Sequence, residues 1–203
     1  MDRSYEKSFL TNHNQFIIGV DEVGRGPLAG PVVAAAVMFD RHHVDYPPFI
    51  KDSKKLTPEK RTVAATYIKQ NAMVSVAQAS VLEIETLNIL WASLLAMKRA
   101  VTKLMIKSAH HHNCIVLVDG NKQIPDVSYD QTAIIRGDDL CFSIAAASIV
   151  AKVARDRLMD VYHQWYPNYH FMNHKGYPTK YHLDMIQKIG ITPIHRKTFR
   201  GVM

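Results

Sequence analysis

With 203 residues, 47% of them hydrophobic, the chain can bury a sizeable core as one large domain, which excludes persistent disorder. A formal net charge of +7 favours a polyanionic partner, nucleic acid or an acidic membrane surface, but on charge alone ordinary solubilising lysines compete with that reading. The longest apolar stretches, Pro31 to Phe39 and Ser143 to Ala151, fall well short of the roughly 20 residues a membrane span needs. Cys114 and Cys141 form no CxxC pair, which argues against a disulfide framework or a thiolate zinc site and suits a reducing cytoplasm. The first residues mix acids with bases and lack an apolar run, so no leader peptide is expected.

In chain order, the apolar run Phe16 to Val20 predicts a strand, and Val32 to Phe39, entered through Gly30-Pro31, predicts another. Residues 41–55 are polar and proline-bearing and read as a loop. Thr57-Pro58 supplies a cap and a first-turn proline for a helix running to about Asn71. Met73 to Ala79 alternates as a third strand. Glu83 to Lys107 carries apolar residues every three or four positions and reads as one long helix. Cys114 to Val118 and Thr132 to Ile135 are further strands, Ser143 to about His163 is an alanine-rich helix, and Lys180 to Lys188 is an amphipathic helix in an otherwise loop-rich tail. This order implies an α/β fold, a mixed sheet packed by helices.

Three acidic motifs share one context. Asp21-Glu22, Asp119 and Asp138 each follow an apolar strand and adjoin a glycine-containing turn, where ligand sites gather in open α/β sheets. Read singly, a strand-end Asp is as often a turn former or helix cap. Read together they form a carboxylate cluster whose mutual repulsion a divalent cation relieves, and hard oxygen donors without His or Cys favour Mg²⁺ or Mn²⁺. A pair of such ions also bridges carboxylates to a phosphodiester that they would otherwise repel. Adjacent strand residues face opposite ways, so Asp21 and Glu22 reach one site only if the strand twists or breaks, which Gly24 and Gly26 allow.

Two basic clusters flank these acids: Lys51, Lys54, Lys55, Lys60 and Arg61, and Lys175, Lys180, Lys188, Arg196, Lys197 and Arg200. Gly24-Arg25-Gly26-Pro27-Leu28-Ala29 also matches the dinucleotide fingerprint G-x-G-x-x-A. Against that reading, Pro27 removes an amide from the cradle and the next segment reads as a strand where the fingerprint requires a helix. The alternative use of the two glycines is close approach of backbone amides to a sugar-phosphate.

The motifs VDEVGRGPLAGPVVAAAV (Val20 to Val37), DSKKL (Asp52 to Leu56), VDGN (Val118 to Asn121), GDDLCFSIAAASIVAKVARD (Gly137 to Asp156) and HKGYPT (His174 to Thr179), in this order, resemble the ribonuclease HII family. The resemblance implies a ribonuclease H-like mixed sheet flanked by helices, with a helical C-terminal extension from about residue 165 to 203 within one catalytic domain. It implies Mg²⁺- or Mn²⁺-dependent cleavage of RNA in RNA–DNA hybrids and of duplex DNA 5′ of embedded ribonucleotides, leaving 3′-hydroxyl and 5′-phosphate ends. The family's metal-binding carboxylates fall on Asp21, Glu22, Asp119 and Asp138, its Gly-Arg-Gly element on Gly24, Arg25 and Gly26, and its ribose-sensing tyrosine on Tyr177. Lys54 and Lys55 read as phosphate contacts or as solvated loop lysines, Ser148 and Lys152 as supports of the site, and His174 as a loop-structuring residue. A monomer is expected, and the tail shows no clear sliding-clamp peptide. A non-catalytic nucleic-acid binder would explain the basic clusters alone, and a nucleotide-dependent oxidoreductase the glycine loop alone.

Overall fold

The computed structural model describes residues 4–11, 16–40, 47, 49–50, 53, 56–108 and 113–203. Lys54 and Lys55, with Lys51, lie outside the described residues.

Five strands form one sheet in the order β3-β2-β1-β4-β5: β1 Phe16–Val23, β2 Val32–Phe39, β3 Ala72–Ala79, β4 Cys114–Asp119 and β5 Asp130–Ile134. β1, β2 and β3 run antiparallel in succession, while β4 pairs parallel with β1 and β5 parallel with β4. The predicted mixed sheet is therefore present. The glycine loop leads directly into β2, antiparallel to β1, so it opens no helix and the dinucleotide reading fails on its own geometric requirement.

The helices are α1 Ser4–Lys7, α2 Pro58–Asn71, α3 Val81–Lys107, α4 Gly137–Leu140, α5 Phe142–Trp165, α6 Phe171–His174 and α7 Lys180–Ile189. Strand alternation sorts the core. Ile18, Val20, Ala34, Ala36, Val116 and Val118 pack with Met97, Val101 and Leu104 of α3 on one face. Ala35 and Val37 pack with α2 and α5 on the other, where Ile17, Ile115 and Leu117 also meet Ile144. Each buried Val, Leu, Ile or Met among them stabilises the fold by about 1.5–3 kcal/mol.

Helix starts follow the local chemistry. Thr57 accepts from the Lys60 amide with Pro58 in the first turn. Ser80 and Glu83 form a reciprocal capping box, so α3 starts two residues earlier than its apolar periodicity indicates. The long helix is also not continuous: Asn88 has φ 65° and its side-chain oxygen accepts from the amides of Leu90 and Trp91, capping a second helical segment. At α5 the cap comes from a distant residue, because the buried Glu6 carboxylate accepts from the Ser143 amide at 3.2 Å. α5 lies directly on β1 at Gly19, where a Cβ would fall 2.1 Å from the Ser143 carbonyl carbon. This contact brings Ser148 over the end of β1.

Candidate metal centre

Asp21 and Asp119 reach the same end of the sheet because of the β1–β4 register. Val20 pairs with Val118, so the next step along two parallel strands sets the two acids side by side. Both continue the odd-numbered rows, Ile17–Gly19–Asp21 and Ile115–Leu117–Asp119, and thus face α5.

Glu22 arrives differently from the expected break in the strand. β1 stays paired with β2 as far as Val23↔Val33, while its pairing with β4 stops at Val20↔Val118. β4 itself ends at Asp119, so the sheet is open beside Glu22 and the longer side chain can turn round that edge. One carboxylate oxygen from each of Asp21, Glu22 and Asp119 lies within 4.8 Å of the other two.

Asp138 does not stand at a strand end. β5 stops at Ile134, Arg136 takes a left-handed conformation with φ 58°, and Asp138 occupies the first turn of the four-residue α4. The Gly137 amide donates to Asp119 Oδ1 at 2.8 Å, docking α4 on the cluster. Asp138 lines the same cavity, of about 260 Å³, outside the group of three that meet within 4.8 Å. Gly24, Arg25, Gly26, Ser148, Lys152 and Tyr177 also line it.

The electrostatics show unrelieved negative charge. Burial, then the charges of Glu22 and Asp119, hold the Asp21 carboxyl well above its ordinary range, although the Ser148 hydroxyl and the Glu22 amide, at 2.6 Å, bond to it. Burial also raises Glu22, against the opposing pull of Arg25, whose Nη1 lies 3.2 Å from Glu22 Oε1. Ser53 bonds to Ser148 at 3.0 Å, extending the support behind Asp21. Lys152 points its ammonium to Asp156 at 2.7 Å, so its charge is committed within α5. An all-carboxylate set in which Asp21 and Glu22 have raised proton affinity fits a hard divalent cation, which supplies positive charge.

Two buried arginines, which sequence reasoning left without an individual role, hold the glycine loop from behind this cavity through its backbone carbonyls. Arg155, fully buried on α5, donates to the carbonyls of Pro31, Ala29 and Lys175. Arg196, also fully buried, donates to those of Gly30, Arg25 and Gly24, the last at 2.6 Å. Burial lowers them to about 10 and about 9, so both stay cationic at neutral pH. Gly24 is required here: its φ is 99°, and a Cβ would sit 2.2 Å from the Arg155 Nε. The available signal for Arg155 was its helical spacing with Ala151 and Met159, which puts a cation on a buried face. Arg196 gave none, because a charge count places it with the surface lysines.

Tyr177 lines the same cavity beside the glycine loop. Its ring carbon Cε1 would lie 3.8 Å from a Cβ on Gly26, and its own loop is tied to the glycine loop by the Leu28 amide on the Gly176 carbonyl at 2.8 Å. The His174 Nδ1 accepts from the Gly176 amide and its Nε2 bonds to the Tyr169 carbonyl, so this histidine structures the loop.

A mixed sheet with carboxylates clustered at adjoining strand ends, covered by helices on both faces, defines a metal-dependent nuclease of the ribonuclease H-like fold. The profile of the family described as Ribonuclease HII matches residues 18–202. A Ribonuclease HII from Anaplasma phagocytophilum is 46% identical over 199 residues, covering 98% of this chain and 92% of that protein. Among solved structures, the PCNA:RNase HII complex from Archaeoglobus fulgidus aligns with a TM-score of 0.70 at 22% identity, covering 91% of this chain and 95% of the other. Bst-RNase HIII in complex with Mn²⁺ aligns with a TM-score of 0.73 at 19% identity, covering 94% and 69%. At these identities the two structures share the fold. The chain belongs to the ribonuclease HII family and is a metal-dependent endoribonuclease that acts on the RNA of RNA–DNA hybrids. No helix among the described residues is long and apolar enough to cross a membrane.

Proposed function

We propose that this enzyme also nicks duplex DNA 5′ of an embedded ribonucleotide, using two divalent ions held by Asp21, Glu22, Asp119 and Asp138. The observation that carries the reading is the meeting of three of these carboxylates within 4.8 Å, in a cavity that also presents Tyr177 and the Gly24–Gly26 loop. Bound there, Mg²⁺ or Mn²⁺ would activate a water and stabilise the departing 3′-oxygen.

The chain's own groups set the stage for that step. Ser148 and the Glu22 amide orient Asp21, and the Gly137 amide orients Asp119. Arg196 holds the Gly24 and Arg25 carbonyls inward, which turns the other edge of the loop toward a sugar-phosphate. DNA and RNA differ at the 2′-hydroxyl, so selection needs a polar group at that point, and the Tyr177 hydroxyl with the loop backbone supplies it. Lys54 and Lys55 act as phosphate contacts. The water oxygen joins phosphorus, the bond to the 3′-oxygen breaks, and the ends are a 3′-hydroxyl and a 5′-phosphate.

The chain works as one catalytic domain, with residues from about 165 onward as its substrate-binding extension. It acts as a monomer. The two buried free thiols suit a reducing cytoplasm. The test is a duplex containing one ribonucleotide. A single nick on its 5′ side with Mg²⁺ or Mn²⁺, abolished by chelation, is expected. Cleavage of continuous hybrids without any nick in that duplex would overturn the proposal.

A further inference from the structure

Behind Tyr177 two buried histidines make a hydrogen-bonded chain with a definite direction. The Thr192 amide donates to His195 Nδ1 at 2.9 Å, so that nitrogen is the acceptor and the ring proton sits on Nε2. His182 Nδ1 lies 2.9 Å from the Tyr177 carbonyl, which only accepts, so His182 is protonated at Nδ1. The two Nε2 atoms are 3.0 Å apart, which satisfies both rings if His195 donates and His182 accepts. The sequence Thr192 to His195 to His182 to Tyr177 is complete with both rings neutral.

The other end of the chain is fastened to the glycine loop. His195 bridges Ala29, the Gly30 amide donates to Ile194 and the Arg196 amide to Leu28, both at 2.8 Å. Arg196 then grips the Gly24 and Arg25 carbonyls. One short segment, 194–196, therefore holds both the glycine loop and, through two imidazoles, the backbone of the tyrosine beside it.

We propose that His182 and His195 are positioning residues that set Tyr177 against the Gly24–Gly26 loop and so fix the reacting ribose for cleavage. The proposal rests on the reading of Tyr177 given above. Ordinary core histidines would pack the same space, so the test separates packing from the directed bond. An Asn amide can stand where His182 Nδ1 donates, whereas a Gln amide reaches only the Nε2 position.

The full-length enzyme with Mn²⁺ is assayed on the single-ribonucleotide duplex as His182→Asn, His182→Gln, Tyr177→Phe and the Tyr177→Phe/His182→Gln double variant, with a thermal melt of each. Loss of one buried neutral hydrogen bond predicts that His182→Gln lowers kcat about tenfold with KM nearly unchanged. His182→Asn restores most of kcat, and His182→Gln adds little in the Tyr177→Phe background. Equal losses in His182→Asn and His182→Gln that track their melting temperatures overturn the proposal. If Tyr177→Phe alone lowers kcat and His182→Gln does not, only the positioning role falls. If Tyr177→Phe changes nothing, the ribose-sensing reading falls and this proposal with it. Should the His182 variants fail to fold, His195→Gln, which keeps a donor toward His182, must retain more kcat than His195→Leu, and equality overturns the idea.

Discussion

Two sets of buried ionisable groups lie on either side of the Gly24–Pro31 loop, and they are satisfied in opposite ways. Arg155 and Arg196 each give their guanidinium protons to three backbone carbonyls, and His182 and His195 are neutral members of a completed chain. Asp21, Glu22 and Asp119 have partial support from the Ser148 hydroxyl, backbone amides and Arg25, yet burial, then the charges of Glu22 and Asp119, still raise Asp21. The first set is complete without a ligand and fixes the loop. The second is left with excess negative charge, which is what gives a divalent cation its affinity there. Stability and activity should therefore respond in opposite directions when the two sets are altered.

The largest expected effect is on chemistry. Asp119→Asn keeps the volume and an acceptor for Gly137 but removes a charge from the cluster, and cleavage should fall by about 10³-fold or more. Rates under saturating Mn²⁺ measure this, and the variant's melting temperature without metal should stay the same or rise. Next, Arg196→Ala removes the donor from three buried carbonyls and should cost about 3 kcal/mol or more in denaturant unfolding. If Arg196→Ala proved as stable as the parent, the assigned division between the two sets would be wrong.

The pH dependence sharpens the same contrast. The Asp21 carboxyl is raised in the folded state, so the unfolded chain releases its proton first, near 3.8, and this group's contribution to stability declines as pH rises above that value. His182 and His195 are pushed down from 6.5 to about 4 by burial, so between those values the unfolded chain binds the protons and the pair's contribution is lost as pH falls. Metal-free melts should show the acid limb from pH 6.5 to 4 flattened in His195→Gln, by about 2 kcal/mol at its foot. Asp21→Asn should instead raise the neutral-pH end.

The same division explains what the residues disclosed before folding. Asp21 and Asp119 were legible because each ends an apolar run, and parallel pairing carries that local pattern into space. Asp138 lines the cavity but from a short helix and not from a strand end, because the left-handed turn at Arg136 and a four-residue helix leave no periodic trace. Asn88 interrupts α3 through its own side-chain cap, which apolar spacing cannot register. Arg61 and Arg196 were counted in the basic clusters flanking the acids, whereas both are buried against carbonyls that only the tertiary fold supplies. Satisfaction of the loop is a non-local property, while the acidic cluster is written in short motifs.

The most direct test of the central claim is a calorimetric titration of Mn²⁺ into the protein with an uncleavable ribonucleotide-containing duplex. Two ions per chain are expected for the parent, with weaker or incomplete uptake in Asp21→Asn and Asp119→Asn. Unchanged stoichiometry and affinity in both variants would contradict it.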